Sequence, residues 1–456
     1  MGGPLLNRWC LAFSIWHVLL LLLLLQLVSP YTIPSYVVDY APIVWLHSDD
    51  PYMPSDILTH VSHTVPRIGL EAIVDTLPLP NLENLSLLNR LGASHGTDVF
   101  LTAVGDVSTF PDWVLGETPD ATGALHNSTA CAVVVVEKQT PAAVWVDAFY
   151  FYFYSWNEGA DIRQVVPPLN KLFPDSKPGD HYGNHLGDWE HNMIRFANGT
   201  PTGIYFSHHT SGEACAWDDA TCLSTTQDGR PVVFSARGSH ANYPSAGSHV
   251  HDEALIDVAD QGRLWDPVRR AYFYHYEPHT GVFTAAGPDG GGGGGDDDPT
   301  DWLNFNGHWG DKQYPDTDPR QETVPYFGLK KFNDGPNGPK FKHLVRKGLM
   351  PDVKEKPHLM KTLVHWYLGL YGCCLRGINP WVVVVSVVLV AAVAVGLCVF
   401  TLKLVRPRLT AWILAKRKKM KKQGGRGGGA KDEDDNAEVQ LRLLDPDGVA
   451  VEQQDD

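Results

Sequence analysis

The densest run of residues able to do chemistry is His181-Tyr-Gly-Asn-His185-Leu-Gly-Asp188-Trp-Glu190-His191-Asn-Met-Ile-Arg-Phe196. Asp188 and Glu190 stand two apart at the start of an expected strand, so their side chains share a face about 6–7 Å apart. Two carboxylates that close repel unless something positive lies between them. His185, in the Gly-rich turn just before, can swing onto that face. His185, Asp188 and Glu190 therefore offer one nitrogen and two carboxylates to a divalent cation. Such oxygen-rich ligation suits Mg²⁺, Mn²⁺ or Ca²⁺ better than structural zinc. It is not the helical His-Glu-x-x-His of a zinc protease, because the surrounding glycines oppose a helix. Asp188 and Glu190 also fit the acid and base of a hydrolase. They fit equally well a structural brace, with Arg163, Arg195 or Arg237 as partners.

More histidines sit in loop-like motifs: Ser207-His208-His-Thr210, Ala236-Arg-Gly-Ser-His240-Ala-Asn-Tyr243, His249-Val-His251 and Asn306-Gly-His308-Trp-Gly-Asp311. Each follows a strand or occupies a Gly turn, where binding residues collect. His191, His208, His240, His308 and Asp311 are therefore expected to line one shared cleft. No serine-nucleophile elbow, phosphate-binding Gly loop or dinucleotide fingerprint occurs, and no cysteine has a convincing histidine partner.

Strands must position these groups. Aromatics form 11% of the 456 residues, which favours sheet. Strands are expected at Ala132–Glu137, Val144–Tyr154, His191–Phe196, Gly203–Ser207, Val232–Ala236 and Ala271–Tyr276, with helical signals at Asp56–His63 and Leu82–Leu91. Short strands, long loops and dense Gly and Pro imply a mainly β fold, a β-sandwich or jelly roll with a few short helices. Residues 287–298 read as a flexible Gly/Asp insert within a domain spanning 31–372.

Two apolar segments set the topology. Residues 1–29, with the leucine run Leu19–Leu25 behind Arg8, read as a signal peptide or signal anchor. Trp381–Leu402 holds no charge, and its length matches a bilayer core. The cluster Lys416-Arg-Lys-Lys-Met-Lys-Lys422 just beyond it is a positive-inside signal, which puts residues 403–456 in the cytosol as a basic-then-acidic, disordered tail. The domain before it is then lumenal or extracellular, in a membrane of the secretory or vacuolar system. The sequons at Asn84, Asn127 and Asn198 all precede the second segment, as glycosylation there requires. Cys215 and Cys222 are expected to form a disulfide in that oxidising space. A net charge of −15 argues against nucleic acid as a partner.

Several long motifs resemble the vacuolar protein sorting-associated protein 62 family. They include Tyr40-Ala-Pro-Ile-Val-Trp-Leu-His-Ser-Asp-Asp-Pro-Tyr-Met-Pro-Ser55, Gly183-Asn-His-Leu-Gly-Asp-Trp-Glu-His191, Ser235-Ala-Arg-Gly-Ser-His-Ala-Asn-Tyr243, Leu264-Trp-Asp-Pro267, Gly307-His-Trp-Gly-Asp311, Asp318-Pro-Arg-Gln321 and Asp334-Gly-Pro-Asn-Gly-Pro339. The resemblance covers the domain from about Tyr36 to Leu349 and implies a link to delivery of proteins to the vacuole. The Asp-Trp-Glu core is also similar to a motif of necrosis- and ethylene-inducing-like proteins. That resemblance implies a β-sandwich with a divalent ion on His185, Asp188 and Glu190, although Leu186-Gly187 stands where those proteins have Arg-His.

Three functions are therefore expected. The first is a membrane-anchored binding module for glycan, lipid headgroup or protein cargo in vacuolar trafficking. The second is a metal-dependent hydrolase using Asp188 and Glu190, with His240 or His308 assisting. The third is a structural membrane protein with no ligand site.

Overall fold

The structure is a computed structural model. It describes residues 31–73, 78–141, 143–161, 181–209, 211–250, 256–288, 298–323, 329–352, 366–367, 370–375 and 377–423. The first apolar segment, most of the Gly/Asp insert and the chain after Gln423 lie outside the described residues.

The fold is mainly β. Its centre is a seven-stranded sheet in the spatial order Ser211–Ala216, Thr200–His208, His185–Ala197, Val144–Asn157, Cys131–Gln139, Ala271–Glu277 and Val282–Ala285. Cys131–Gln139 and Ala271–Glu277 pair in parallel, and the other neighbours are antiparallel. A four-stranded sheet runs Asn242–Tyr243, Val232–Ser235, Ile43–Leu46 and Arg263–Trp265.

Both faces of the central sheet are buried, which explains why its middle strands read as near-continuous apolar runs. On one face Tyr150, Tyr152, Tyr154, Ile194 and Phe196 share a core cluster with Val44, Val233 and Trp265 of the four-stranded sheet. On the other face Phe149, Phe151, Phe153, Trp189 and Met193 share a cluster with Ile57, Leu85, Trp302 and Trp309. Strand alternation therefore sends Asp188, Glu190 and Asn192 toward the four-stranded sheet, and Trp189, His191 and Met193 the other way.

The expected strands are all present, with shifted ends. The middle strand begins at His185, not His191, because Leu186 and Asp188 already pair with Trp156 and Tyr154. Gly187 makes this possible. It holds φ +70°, and a Cβ there would stand 1.9 Å from the Trp309 carbonyl oxygen. Asp56 caps the helix Ile57–Ser62 by accepting from the Thr59 N–H at 2.7 Å. The second helical signal forms a 3₁₀ turn at Leu85–Arg90, where Asp301 takes the Ser86 N–H at 2.6 Å.

Cys215 and Cys222 form a disulfide, their Cα atoms 5.7 Å apart, at the end of the edge strand Ser211–Ala216. A second compact unit starts at Trp381. Its helix Pro380–Gln423 contains a span, Pro380–Thr401, long and apolar enough to cross a membrane. The helix continues through Lys416–Lys422, where the charge run predicts disorder. Lys, Arg and Met are good helix formers.

Gly187→Ala should cost about 3 kcal/mol or more, from positive φ and the clash with Trp309 together. Denaturant unfolding of the variant beside Gly105→Ala, where a Cβ meets nothing within 4 Å, checks it.

Candidate functional site

Asp188 and Glu190 project into the interior beside the four-stranded sheet, only 6% and 3% exposed. A carboxylate in such a place needs a partner or a proton. Asp188 has the partner: its Oδ2 lies 2.9 Å from His240 Nδ1. His240 Nε2 reaches the Tyr52 carbonyl at 3.3 Å, and Asp50 stands 3.7 Å away. The ring stacks flat on Tyr154, centroids 3.7 Å apart. Burial works to lower the His240 pKa, but the bond to Asp188 and the charge of Asp50 outweigh it, and the net shift is upward. The tight turn Ala236–Ala241 delivers the ring, with His240 itself at φ +54°. Asp50 fixes that turn by accepting the Gly238 N–H at 2.7 Å.

Glu190 keeps the proton instead. Burial, then the Asp188 charge, pushes its pKa up to about 8. Its Oε2 accepts a short hydrogen bond from Ser207. Tyr152 Oη, Asn192 Oδ1 and Asn242 Oδ1 are buried without a hydrogen-bond partner among the described residues. Tyr152 is Glu190's cross-strand neighbour. Burial and the Asp188 charge outweigh the opposing charges of Lys342 and His209, and the neutral acid is favoured.

Asp257 organises a third group. It accepts from Ser239 at 2.8 Å and Tyr243 at 2.7 Å, and lies 2.9 Å from His209 Nε2. Burial opposes the charge on His209, yet Asp257 lifts its pKa to about 9. His208 and His249 stack on Tyr243. On the opposite face of the sheet, His191 Nε2 accepts from Arg346 at 2.8 Å. The buried Arg346 guanidinium lies over the Phe149 and Tyr205 rings. Arg195, an expected brace for the carboxylates, is bound to Asp147 instead.

Each member of the expected metal-ligand set is engaged within the protein. His185 Nδ1 is bonded to its own strand, at the Gly187 carbonyl, 2.7 Å away. His240 and Ser207 already engage the two carboxylates. Among the described residues no three His, Cys, Asp or Glu side chains are disposed to hold a metal.

The five cleft residues separate. His240 and His208 belong to the interior between the sheets, and His191 to the other face. His308 is bonded to the Gly335 carbonyl at 2.6 Å and stacked on Phe100. Asp311 lines an open cavity of about 390 Å³ with Arg67, Thr102, Gly105, Asp106, Lys312, Tyr314, Asp318 and Arg320. Burial raises the Asp311 pKa to about 6 against the pull of Arg320 and Arg67. Arg320 is held by Asp318 at 2.9 and 2.7 Å and stacks on Tyr314. Sequence reasoning misses Asp50, Arg67, His209, Asp257, Arg320 and Arg346 as site residues. Asp50, His209 and Arg320 lie inside motifs that stand out in the sequence. Nothing local marks Arg346, whose role exists only through contacts with strands about 150 and 200 positions upstream.

These groups set a pH profile. Between pH 4.5 and about 8 the unfolded chain has lost the Glu190 proton that the folded chain keeps, and His209 behaves alike between 6.5 and about 9. Stability therefore falls as pH rises above 6.5. Below 6.5, His60, with a pKa near 3, and the likewise depressed His185 and His191 charge only on unfolding. These three outweigh the opposite pull of Glu190 and Asp311. The melting temperature of the detergent-solubilised chain should thus peak near pH 6.5. Glu190→Gln should make the alkaline limb shallower by up to about 1.4 kcal/mol per pH unit.

Residues 128–323 match the family model described as vacuolar protein sorting-associated protein 62. The putative vacuolar protein sorting-associated protein TDA6 of Saccharomyces cerevisiae is 35% identical over 354 residues, covering 72% of this chain and 70% of its own. Vacuolar protein sorting-associated protein 62 of the same yeast is 35% identical over 346 residues, covering 71% and 68%. A solved structure of a non-toxic HaNLP3 protein is similar over 57% of this chain and 81% of its own, at 11% identity and a TM-score of 0.24. By its identity to the two yeast proteins over more than two thirds of each, the chain belongs to the vacuolar protein sorting-associated protein 62 family.

Proposed function

We propose that the chain is a membrane-tethered, non-enzymatic binding module in vacuolar protein sorting, with its β-domain lumenal and its basic tail cytosolic. One observation carries this reading over the hydrolase: Asp188 and Glu190 are sealed between the sheets and engaged by His240 and Ser207, so no substrate meets them. Family membership supports the sorting role. The apolar span Pro380–Thr401 and the lysine cluster after it support the tether and its orientation. The core cluster shared by the two sheets supports a β-sandwich.

The ligand is taken at the Asp311 cavity, whose volume is in the range of small-molecule sites. Three acidic and three basic residues line it, so the formal charges cancel. A ligand rich in neutral donors and acceptors, such as a glycan, suits that wall better than a strong anion or cation.

Gly105 gives a clean test, because a Cβ there meets nothing within 4 Å. In cells lacking the chain, Gly105→Leu should fold to normal abundance yet fail to restore delivery of vacuolar proteins, and Asp311→Asn should behave likewise. Full rescue by both variants sinks the cavity reading, and turnover that depends on Asp188 revives the hydrolase.

Lumenal placement also predicts which sequons carry glycan. Asn127 and Asn198 are exposed. Asn84 is half-buried and engaged at both ends of its amide, Nδ2 donating to the Leu79 carbonyl at 3.0 Å and Oδ1 accepting the Asn81 N–H at 2.9 Å, which disfavours a glycan there. Endoglycosidase digestion should remove two glycans, both absent from Asn127→Gln/Asn198→Gln, whereas Asn84→Gln should leave the mobility shift unchanged.

A further inference from the structure

The stretch Pro339–Pro351, Pro-Lys-Phe-Lys-His-Leu-Val-Arg-Lys-Gly-Leu-Met-Pro, holds four Lys or Arg and no acid, in a chain of net charge −15. Its side chains alternate in and out. Leu344 is in the core, and Arg346 is buried over Phe149 and Tyr205 with bonds to His191 and to the Lys342, His343 and Leu349 carbonyls. Lys340 is also spent, on the Asn304 carbonyl and Asn306. These anchors fix the outward set: Phe341 at 41% exposed, Val345 at 52%, Met350 at 44%, with His343 and Lys347 between them. Three large apolar side chains are thus held open within ten residues, beside the exposed Lys347 and His343.

We infer that this strip docks on the lipid headgroup surface of the membrane that the chain's own helix crosses. Phe341, Val345 and Met350 enter the interface, and Lys347 and His343 meet lipid phosphates. The segment after the strip singles out a bilayer as the occupant. From Asp352 only 27 residues, 353–379, lead to Pro380 at the start of the apolar span. Trp366, 70% exposed, Tyr367 and Tyr371 lie on that stretch, and Trp381 stands just past its end. Amphipathic aromatics of this kind gather where bilayer meets water. A tether of that length keeps the strip at high effective concentration over the bilayer, so weak individual contacts suffice. Asp352, which accepts the Lys347 N–H at 3.2 Å, ends the acid-free run.

The inference rests on the tethered reading, and the experiment separates the two. The full chain is placed in nanodiscs of phosphatidylcholine and phosphatidylserine, and amide exchange is followed by mass spectrometry. It is compared with Phe341→Ser/Val345→Ser/Met350→Ser, three exposed positions whose change leaves the core intact. Peptides from 339–352 should exchange roughly tenfold or more slowly in the wild-type chain than in the triple variant, with Pro380–Thr401 protected in both. Equal exchange of the strip in both chains, with the helix protected, overturns the docking but leaves the tether. An unprotected helix overturns both.

Discussion

A buried carboxylate cannot stay a bare charge, and this domain is arranged around that constraint. Its middle strand carries Asp188 and Glu190 into a space closed by sheet on both sides. Both acids are almost wholly buried, so each takes one of the two remedies left. Asp188 is given a cation in His240, and Glu190 retains its proton. The loops are built to serve this choice. The 236–241 turn must enter left-handed backbone to present the imidazole, and Asp50 must hold that turn in place. Asp257 repeats the solution one layer over with His209. The polar residues that look catalytic in one dimension are thus engaged with one another inside the core.

How much of this the sequence discloses depends on the range over which each signal acts. Strands such as Val144–Asn157 are legible because period and β-branching are local properties, and so is the Asp56 cap. The early start of the middle strand is not, because it depends on Gly187 fitting against Trp309, over a hundred residues away. The acidic pair is visible, but its partner is not. Arginines are the natural candidates, yet Arg195 turns to Asp147 while a histidine from a distant turn takes Asp188. Likewise the histidine motifs each sit in a loop, which suggests one cleft. Alternation along the middle strand then sends His191 to the face opposite His208 and His240, while His308 stands off the sheet at the Gly335 carbonyl, a division that no single motif reveals.

Family and structure meet at a particular place. The matched residues 128–323 include Asp188, Glu190, His240 and Asp257 and run on to the Asp311 loop, while Asp50 and Tyr52 join this interior from outside the match. A residue such as His240 serves the fold even though its type suggests reactivity. The open cavity beside Asp311 is assembled from short strands and loops at the periphery, where side chains can differ without disturbing the sealed interior.

The disulfide has a consequence beyond local stability. Ser211–Ala216 is the outermost strand of the central sheet, and among the described residues its outer backbone groups face no neighbouring strand. An open edge of that kind is a template on which another chain can add a strand. Here the strand ends in a covalent loop that turns the chain back at Cys222 and limits how far the edge can extend. The same bond that fastens a short loop thus works as a guard against runaway sheet growth.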